Sequence, residues 1–440
     1  MDRIGENFAW MRRRVDGMSS IDKIGKVIQV TGLVIESEGP EVSLGEVCEI
    51  LSSRRNVAVT AEVVGFRDNR VLLMPLGDMH EIHPGCQVIA SDRVNNIPVG
   101  EGLIGRVIDG LGYPLDGRGP LRVQYSDTGL NRPAPNPMLR RPITESFSTG
   151  VRSLDSFTPL GTGQRVGIFA GSGVGKSTLL GMIARGSDSD INVLSLVGER
   201  GRELREFVEK ELGEEGMKRS IVVVSTSDQP APMRIRAAML ATSIAEHFRD
   251  SGKKVLLMMD SLTRFCMAQR EIGLAVGEPP TSRGYTPSVF SVLPRLLERA
   301  GMSEQGSITG IYTVLVEGDD LNEPIADAAR GILDGHIVLS RNLATSNHFP
   351  AVDVLESVSR LIRSICTNEE VDLVSQARDM LAIYRKNEDL INIGAYAKGS
   401  NARIDFAIEH FEALSAFLRQ NSHQLQKRDE TFNQLKRVMS

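Results

Sequence analysis

The stretch AGSGVGKST (residues 170–178) decides the fold of this 440-residue chain. It follows VGIFA (166–170), an apolar run typical of a buried strand, and leads into STLLGMIARG (177–186), which has the pattern of a helix. Glycines in such a turn let backbone N–H groups approach an anion closely, and the start of the helix adds partial positive charge. The pattern therefore predicts a phosphate-binding loop between a strand and a helix.

The residues of this loop have the types that nucleotide binding needs. Lys176 can reach the β- and γ-phosphates of a nucleotide, and the hydroxyl of Ser177 can ligate Mg²⁺. Ala170 stands where the strict motif has its first glycine, which costs little if φ stays negative there. The predicted nucleotide-binding residues of the loop are Gly171, Ser172, Gly173, Val174, Gly175, Lys176, Ser177 and Thr178.

Two further apolar runs each end in a carboxylate. KVLLMMD ends at Asp260, and INVLSLVGE ends at Glu199. Parallel strands end at one edge of a sheet, so both carboxylates are expected beside the phosphates. Asp260 can hold Mg²⁺ through its water shell, and Glu199 can orient a water for in-line attack on the γ-phosphate. Arg200, the next residue, could sense the charge of the γ-phosphate. The alternative is that Glu199 and Arg200 are solvated charges after a strand. Together with Lys176, Ser177 and Asp260, however, they favour a hydrolytic nucleotide site.

The order of the remaining apolar runs predicts an α/β protein in three domains. Residues 23–97 contain short strands separated by Gly, Asp or Asn, which favours a small β-barrel. Residues 98–365 contain a proline-rich linker (132–142) and then alternate strands with helices, as in a mostly parallel sheet covered on both faces. Residues 366–440 have the pattern of amphipathic helices.

Residues 1–22 are predicted to form a separate amphipathic arm. Ile4, Phe8, Met11 and Val15 recur at helical spacing, with arginines around the stripe. A segment this short cannot bury its own apolar stripe. The stripe could therefore dock on a partner helix or an acidic lipid surface. The alternative is that the arm packs on its own protein or frays.

Composition excludes several classes of protein. Lys and Arg number 51 against 56 Asp and Glu, and this near balance argues against a nucleic-acid coat. No apolar run approaches the roughly 18 residues of a membrane span, and the first residues lack the apolar core of a signal peptide, so a cytoplasmic protein is expected. Cys48, Cys86, Cys266 and Cys366 lack metal-binding spacing and are expected to be structural thiols in a reducing compartment.

Several longer motifs resemble the rotary-ATPase family, which includes the catalytic subunit of F-type ATP synthase. They are GSGVGKST (171–178), VGERGRE (197–203), MMDSLTR (258–264), GEPPTSRGYTPSVFSVLPRLLER (277–299) and FPAVDVLESVSR (349–360). The resemblance extends from about residue 24 to residue 420. It implies a β-barrel, a central RecA-like P-loop ATPase domain and a helical C-terminal domain.

The resemblance also implies roles for charged residues at the matching positions. Glu199 is similar to the catalytic carboxylate that activates water. Arg200 and Arg264 are similar to arginines that contact phosphate. Glu203 and Asp260 are similar to outer-shell Mg²⁺ residues, so ATP and Mg²⁺ are the implied substrate and cofactor.

The motif at 349–360 supplies two further residues. Phe349 matches the aromatic that stacks on adenine, with ordinary core packing as the alternative. Arg360 matches the arginine finger that a neighbouring subunit inserts. F-type rings divide the catalytic glutamate and this arginine between two chain types, whereas this chain has both. One chain can therefore build every head-to-tail interface, which predicts a homohexamer.

The segment INIGAYAKGSNARID (391–405) indicates the branch of the family. ATP synthase catalytic chains carry a strongly acidic loop there, whereas this segment resembles the type III protein-export ATPases. LVEGDDLNEPIADAARGILDGHIVLSR (315–341) resembles the flagellar group among them. The implied function is ATP hydrolysis that energises flagellar type III export, by delivering and unfolding substrates and releasing chaperones, at the inner face of the cytoplasmic membrane.

The resemblance implies several partners. They are a regulator that binds the N-terminal arm, a stalk protein near 391–405, export chaperones with their substrates and a membrane export gate; no nucleic acid is expected. A virulence type III secretion (injectisome) ATPase is the first alternative. A hexameric RNA translocase is the second, but residues 23–97 offer only Phe66 as an aromatic for stacking on bases. A non-catalytic ring subunit is the third, and Glu199 argues against it.

Overall fold

The computed structural model describes residues 24–52, 57–79, 81–91, 96–126, 128–316, 318 and 320–440. The amphipathic arm predicted at 1–22 lies outside the described residues. The described residues fall into two compact units, the first within residues 24–91 together with 275–277 and the second within residues 96–274 and 278–440.

The first unit contains a closed antiparallel β-barrel in the strand order β1-β2-β5-β4-β3-β6. The strands are β1 (Ile24–Thr31), β2 (Val34–Glu38), β3 (Val47–Ser52), β4 (Val57–Arg67), β5 (Arg70–Pro75) and β6 (Gln87–Ala90). Apolar side chains from alternate positions, such as Val27, Ile35, Ile50 and Leu73, fill its interior. Closure leaves no unpaired strand edge. The predicted barrel is confirmed.

The second unit is built on a nine-stranded sheet in the order β19-β18-β12-β17-β15-β13-β14-β8, with β16 paired to β17. Neighbours from β18 to β8 are parallel, whereas β16 and β19 are antiparallel additions. The strands of this unit are β7 (Ile97–Val99), β8 (Val107–Asp109), β9 (Gln124–Ser126), β10 (Ser146–Phe147), β11 (Leu160–Gly161), β12 (Arg165–Ala170), β13 (Ile191–Glu199), β14 (Ser220–Thr226), β15 (Lys254–Asp260), β16 (Gly301–Met302), β17 (Ser307–Leu315), β18 (Gly335–Leu339) and β19 (Val358–Ser359). The mostly parallel sheet predicted from the sequence is confirmed.

Most helices alternate with the strands of the sheet along the chain, and the last four follow its final strand. They are α1 (Arg152–Phe157), α2 (Lys176–Gly186), α3 (Gly201–Glu206), a π-helical turn (Phe207–Leu212), α4 (Gly213–Met217), α5 (Ala231–Asp250), α6 (Leu262–Val276), α7 (Pro287–Leu297), α8 (Pro324–Ile332), α9 (Arg341–Thr345), α10 (Ile362–Ile365), α11 (Asn368–Asn392), α12 (Ala402–Leu418) and α13 (Arg428–Met439). Short 3₁₀ turns lie at Glu101–Leu103, Pro137–Leu139 and Ser282–Gly284.

The two faces of the sheet line two separate apolar cores. In β13, Val193 and Val197 belong to the core that also contains α5, whereas Leu194 and Leu196 belong to the core that also contains α2. Side chains alternate between the faces of a strand, so a strand buried on both sides is mostly apolar. That is why β13 is apolar at most positions, with Asn192 and Ser195 as its buried polar residues.

The predicted C-terminal helices are also confirmed. A capping box between Thr367 and Glu370 begins α11, and the apolar stripes of α11, α12 and α13 join the core that contains α2. The helical segment is therefore packed onto the same face of the sheet as the helix that follows the phosphate loop. Among the described residues, no helix is both long and apolar enough to cross a membrane.

Candidate active site

The phosphate loop joins β12, between β17 and β18, to the first turn of α2. Gly173 and Gly175 have φ of 77° and 86°, the left-handed region that favours glycine. Ala170 completes β12 in strand conformation, so the missing first glycine is no obstacle. Among the described residues no side chain caps the start of α2. Its first N–H groups can therefore bind an anion, and the loop fits a polyphosphate.

Lys176, the first residue of α2, lies between two carboxylates. Its Nζ donates to Asp260 Oδ1 and lies 3.4 Å from Glu199 Oε1. The two acids come together because β13 and β15 are parallel neighbours, so that their carboxyl ends meet at one edge. All three side chains are largely buried, with Asp260 only 6% exposed. The structure thus brings together the lysine and both acids expected from the sequence.

Burial and charge control the protonation of this cluster. Burial alone would lower the pKa of Lys176, but the negative charges of Asp260 and Glu199 outweigh it and raise that pKa. For Glu199, burial raises the pKa and the charge of Asp260 adds to the effect, against the opposing charge of Lys176. Lys176 is therefore a permanent cation near neutral pH, whereas Glu199 is held closer to the pH at which a base can take up and release a proton.

Two polar residues that were not expected from the sequence, Thr313 and Glu211, form hydrogen bonds to residues of the site. The hydroxyl of Thr313, fully buried in β17, donates to Asp260 Oδ1 at 2.6 Å. The hydroxyl of Thr178 donates to Glu211 Oε1 at 2.9 Å, which ties α2 to the π-helical turn. A buried hydroxyl requires a partner, but the strand of Thr313 also contains Ser307, Thr309 and Tyr312, so the sequence did not single out Thr313. Nothing in the local sequence indicated Glu211.

Arg200 and Glu203 lie at the rim of the site. They pair with each other, Nη1 to Oε1 at 3.4 Å, and the side chain of Arg200 is 71% exposed. The charge of Glu203 contributes to raising the pKa of Glu199, so it lies within electrostatic reach of the cluster. Within the described part of the chain, Arg200 has its ion pair with Glu203 and not with the carboxylates around Lys176.

Arg264 lies beside the end of β13. A Cβ added to Gly198 would come within 2.9 Å of Cβ and 3.0 Å of Cγ of Arg264. Gly198, with φ of 72°, therefore allows the stem of this arginine to lie on the backbone next to Glu199. The close approach explains why a glycine precedes Glu199.

Phe349 and Arg360 stand at the two ends of one segment. The ring of Phe349 would lie 3.4 Å from a Cβ added to Gly175, and the side chain is 41% exposed, so Phe349 lies beside the phosphate loop and not in the core. Arg360 is exposed and follows β19, where its Nη2 donates to the carbonyl oxygen of Arg330 at 3.0 Å. The first side chain is thus in reach of a nucleotide bound by this chain, and the second faces outward.

Comparison with known proteins identifies the family. Models of the ATP synthase alpha/beta family match residues 27–92 (beta-barrel domain) and 150–359 (nucleotide-binding domain), and the T3SS EscN ATPase C-terminal domain matches 366–437. A flagellum-specific ATP synthase of Bacillus subtilis is 56% identical over 93% of each chain. The chain belongs to the ATP synthase alpha/beta family.

Other members of the family refine this assignment. A type 3 secretion system ATPase of Xanthomonas euvesicatoria is 50% identical over 94% of each chain. The assembled ATPase EscN from the type III secretion system of enteropathogenic E. coli is 43% identical, with a TM-score of 0.89 over 94% of this chain and 100% of that one. The chain is an ATPase of the type III export branch. The predictions of family, fold class and ATPase activity are confirmed.

The oxygen donors at the site are of the kind that Mg²⁺ prefers. The described residues include no group of three or more His, Cys, Asp and Glu side chains that could hold a metal by itself. Ser177, exposed at the start of α2, and Asp260 at the sheet edge offer a hydroxyl and a carboxylate. Mg²⁺ keeps much of its water and is commonly bound through substrate phosphates with one or two protein oxygens, so these residues fit it.

Proposed function

We propose that this chain hydrolyses ATP with Mg²⁺ to energise protein export through a flagellar type III system. The position of Lys176 between Glu199 and Asp260 at the end of the phosphate loop supports the hydrolytic part of the proposal. Relatives from Bacillus subtilis and Treponema pallidum, 56% and 52% identical, are flagellum-specific ATP synthases and support the flagellar part. The similarity to type 3 secretion system ATPases keeps an injectisome role as the second candidate.

The chemistry divides among the residues of the site. The loop N–H groups and Lys176 bind the β- and γ-phosphates, and Phe349 holds the base. Glu199 orients the attacking water and accepts its proton. Arg200 and Arg264 offset charge that develops on the γ-phosphate.

The metal adds one contribution to this arrangement. Mg²⁺, held by Ser177 and through water by Asp260 and Glu203, would neutralise charge on the β- and γ-phosphates. Thr313 contributes to metal binding indirectly, because its hydrogen bond orients the carboxylate of Asp260.

The assembly that we propose is a homohexameric ring in which Arg360 of one subunit completes the site of the next. Two solved relatives support an assembly of this kind, namely the assembled ATPase EscN and the same protein with its central stalk EscO, at TM-scores of 0.89 and 0.86. We place a stalk-like partner near 391–405, because Leu390 and Ile393, around the end of α11, expose 48% and 75% of their surface. Large exposed apolar side chains at such a tip favour a protein partner.

The remaining partners rest on the resemblance of the sequence. We place a regulator at the arm 1–22, and export chaperones, their substrates and an export gate at a ring that lies peripherally on the inner face of the cytoplasmic membrane.

Complementation between two inactive variants tests the shared site. Lys176→Ala subunits lack a working loop but keep the finger, and Arg360→Ala subunits have the reverse. Each alone is expected to be inactive, and their mixture should release phosphate from ATP. The matched control replaces the Lys176→Ala subunit with one that carries both substitutions, and this mixture should stay inactive. A failure of the first mixture, with both variants still assembling, would contradict the proposal.

A genetic test separates the two export systems. A bacterial strain that lacks its flagellar export ATPase should regain swimming when this chain is expressed in it, but not when Glu199→Gln is expressed. Rescue of injectisome secretion without rescue of swimming would favour the second candidate.

A further inference from the structure

Residues 349–360, which we call the strap, connect the two ends of the proposed catalytic machinery. The strap runs along strand β18. Its Ala351 carbonyl accepts from Ser340 N at 2.8 Å, and Asp353 N donates to Val338 O at 2.9 Å. Its last residues form β19 against β18. Phe349 and Arg360 are therefore the two ends of one segment whose middle is hydrogen-bonded to β18.

Two arginines of α11 contact the middle of the strap. Arg385 Nη2 donates to both carboxylate oxygens of Asp353, at 3.1 and 3.0 Å. Arg378 Nη2 donates to the carbonyl oxygens of Leu355 and Ser357, at 3.1 and 3.0 Å. The two arginines are seven residues apart and so lie on the same face of the helix, about two turns from each other. They contact successive parts of the strap.

Arg385 and Arg378 contact the strap at the turn Asp353–Ser357, which leads the chain toward Arg360. Asp353 Oδ1 also accepts from the N–H groups of Leu355 and Glu356, at 3.0 and 3.2 Å. The fully buried hydroxyl of Ser357 donates to Asp353 O at 2.6 Å. The carboxylate that Arg385 pairs with is thus the group that holds the turn, and charge-assisted bonds of this type are stronger than neutral ones.

Helix α11 extends from this contact to the tip of the C-terminal helices. It is 25 residues long and ends at Asn392, at the segment 391–405. A partly open cavity of about 170 Å³ lies between this helix and the strap, lined among others by Leu355, Tyr384 and Arg385. The helix is therefore hydrogen-bonded to the strap and has space beside it into which it can shift.

We propose that Arg378 and Arg385 are positioning residues that couple the C-terminal helices to Arg360 and, through the same strap, to Phe349. The proposal rests on the proposed function, because it assumes that Arg360 serves the neighbouring site. A displacement of α11 moves both ends of the strap, so one event adjusts base binding in the subunit's own site and the finger in the next. Misplacement of a catalytic group by about 1 Å can cost 10²-fold in rate, so small shifts suffice.

Mixed rings test this proposal. Lys176→Ala subunits supply only the finger and Arg360→Ala subunits supply only the loop, and Arg385→Gln is added to one kind or the other. On the finger-supplying subunit it should lower kcat of the mixture about five- to tenfold and leave KM for ATP unchanged. On the loop-supplying subunit it should raise KM for ATP, through Phe349, with a smaller change in kcat. Arg378→Gln should follow the same division.

Matched variants distinguish positioning from general damage to the fold. Lys386→Gln removes an equal charge from the next residue of α11, which is exposed and for which no side-chain hydrogen bond or ion pair exists among the described residues, so both parameters should stay unchanged. Arg385→Lys keeps the charge and should restore most of kcat. Asp353→Asn removes the pair but keeps an acceptor for the turn. It should match Arg385→Gln, and the two together should cost no more than one.

Two results would overturn the proposal in distinguishable ways. If the mixture without Arg385→Gln is active, but that substitution has the same effect on either kind of subunit, or none, then the arginines do not position the finger. If the mixture is inactive before Arg385→Gln is added, the shared site fails, and the proposed function fails with it.

Discussion

At the residue scale, the central observation is that one ammonium group faces two carboxylates. Lys176 is shared by Asp260 and Glu199, and bound ATP would bring several more negative charges to the same place. Each carboxylate therefore opposes nucleotide binding while it serves metal binding or catalysis. The roles of these groups can be separated by removing charge without removing volume.

Glu199→Gln should lower kcat by about 10²- to 10³-fold, because an amide cannot accept the proton of the attacking water. ATP should bind as tightly as before or more tightly, since a negative charge has been removed beside the polyphosphate. Single-turnover hydrolysis and the Kd of a fluorescent ATP analogue measure the two effects. Glu209→Gln, which removes an exposed carboxylate paired with Arg205, is the control. Normal hydrolysis by Glu199→Gln would end the assignment of Glu199 as the base.

The pH dependence of kcat should show the raised pKa of Glu199. Only the ionised carboxylate can accept a proton, so kcat should fall as pH falls through that pKa. Burial and Asp260 raise it, so the fall begins at a higher pH than for an ordinary glutamate. The pKa of Lys176 is also raised, so this lysine adds no loss of activity on the alkaline side near neutrality. Rates measured from about pH 5 to pH 9 test this, and a flat acid side would contradict it.

At the element scale, the start of α2 depends on close packing against the π-helical turn. Gly181 lies in the middle of α2, and a Cβ there would come within 2.9 Å of the backbone oxygen of Glu211. The same residue accepts the hydrogen bond from Thr178 at the end of the phosphate loop. The glycine therefore sets the distance between the loop helix and the element that carries Glu211.

Gly181→Ala should destabilise the fold by about 1–3 kcal/mol, because the overlap with backbone exceeds the gain of up to about 1 kcal/mol from better helix propensity. It should also raise KM for ATP, since α2 must shift. Gly331→Ala is the matched control, because Gly331 lies in α8 with open space around it and should become slightly more stable. Thermal unfolding and ATPase assays measure both. Equal stability of the two variants would contradict the packing argument.

At the scale of the whole molecule, the location of Arg360 matters most. It is exposed on this chain and lies at the opposite end of the strap from Phe349, so its expected phosphate partner belongs to a neighbouring copy. We therefore expect that a single chain carries each part of the site and that Arg360 serves the site of the next copy, not that of its own chain.

Specific ATPase activity should therefore rise steeply with protein concentration as rings assemble, and should reach a plateau once they have formed. Light scattering on the same samples gives the mass of the assembly. Arg360→Ala should show the same increase in mass with no increase in activity. Full activity of a dilute monomer would contradict a site shared between subunits.

Much of the fold was predictable because short-range patterns of residue types determine the strands and helices. The short strands β1 to β5 between Gly, Asp and Asn, the mostly apolar run of β13 and the helical stripes of α11 and α12 are all local features of the sequence. The phosphate loop was equally clear, since left-handed glycines between a strand and a helix serve few purposes. Glu199 and Asp260 were predictable as well, because each ends such a run.

Only the tertiary structure decided which of these residues meet. That β15 lies between β13 and β17, so that Thr313 reaches Asp260, depends on how buried faces pack and not on any local pattern. The same holds for Gly175 beside Phe349 and for Arg385 on Asp353, pairs that are distant in sequence. The sequence by itself determined the elements and the chemical types at their ends, because backbone conformation is a local property. Packing of the apolar faces decided the contacts, because burial is a property of the whole chain.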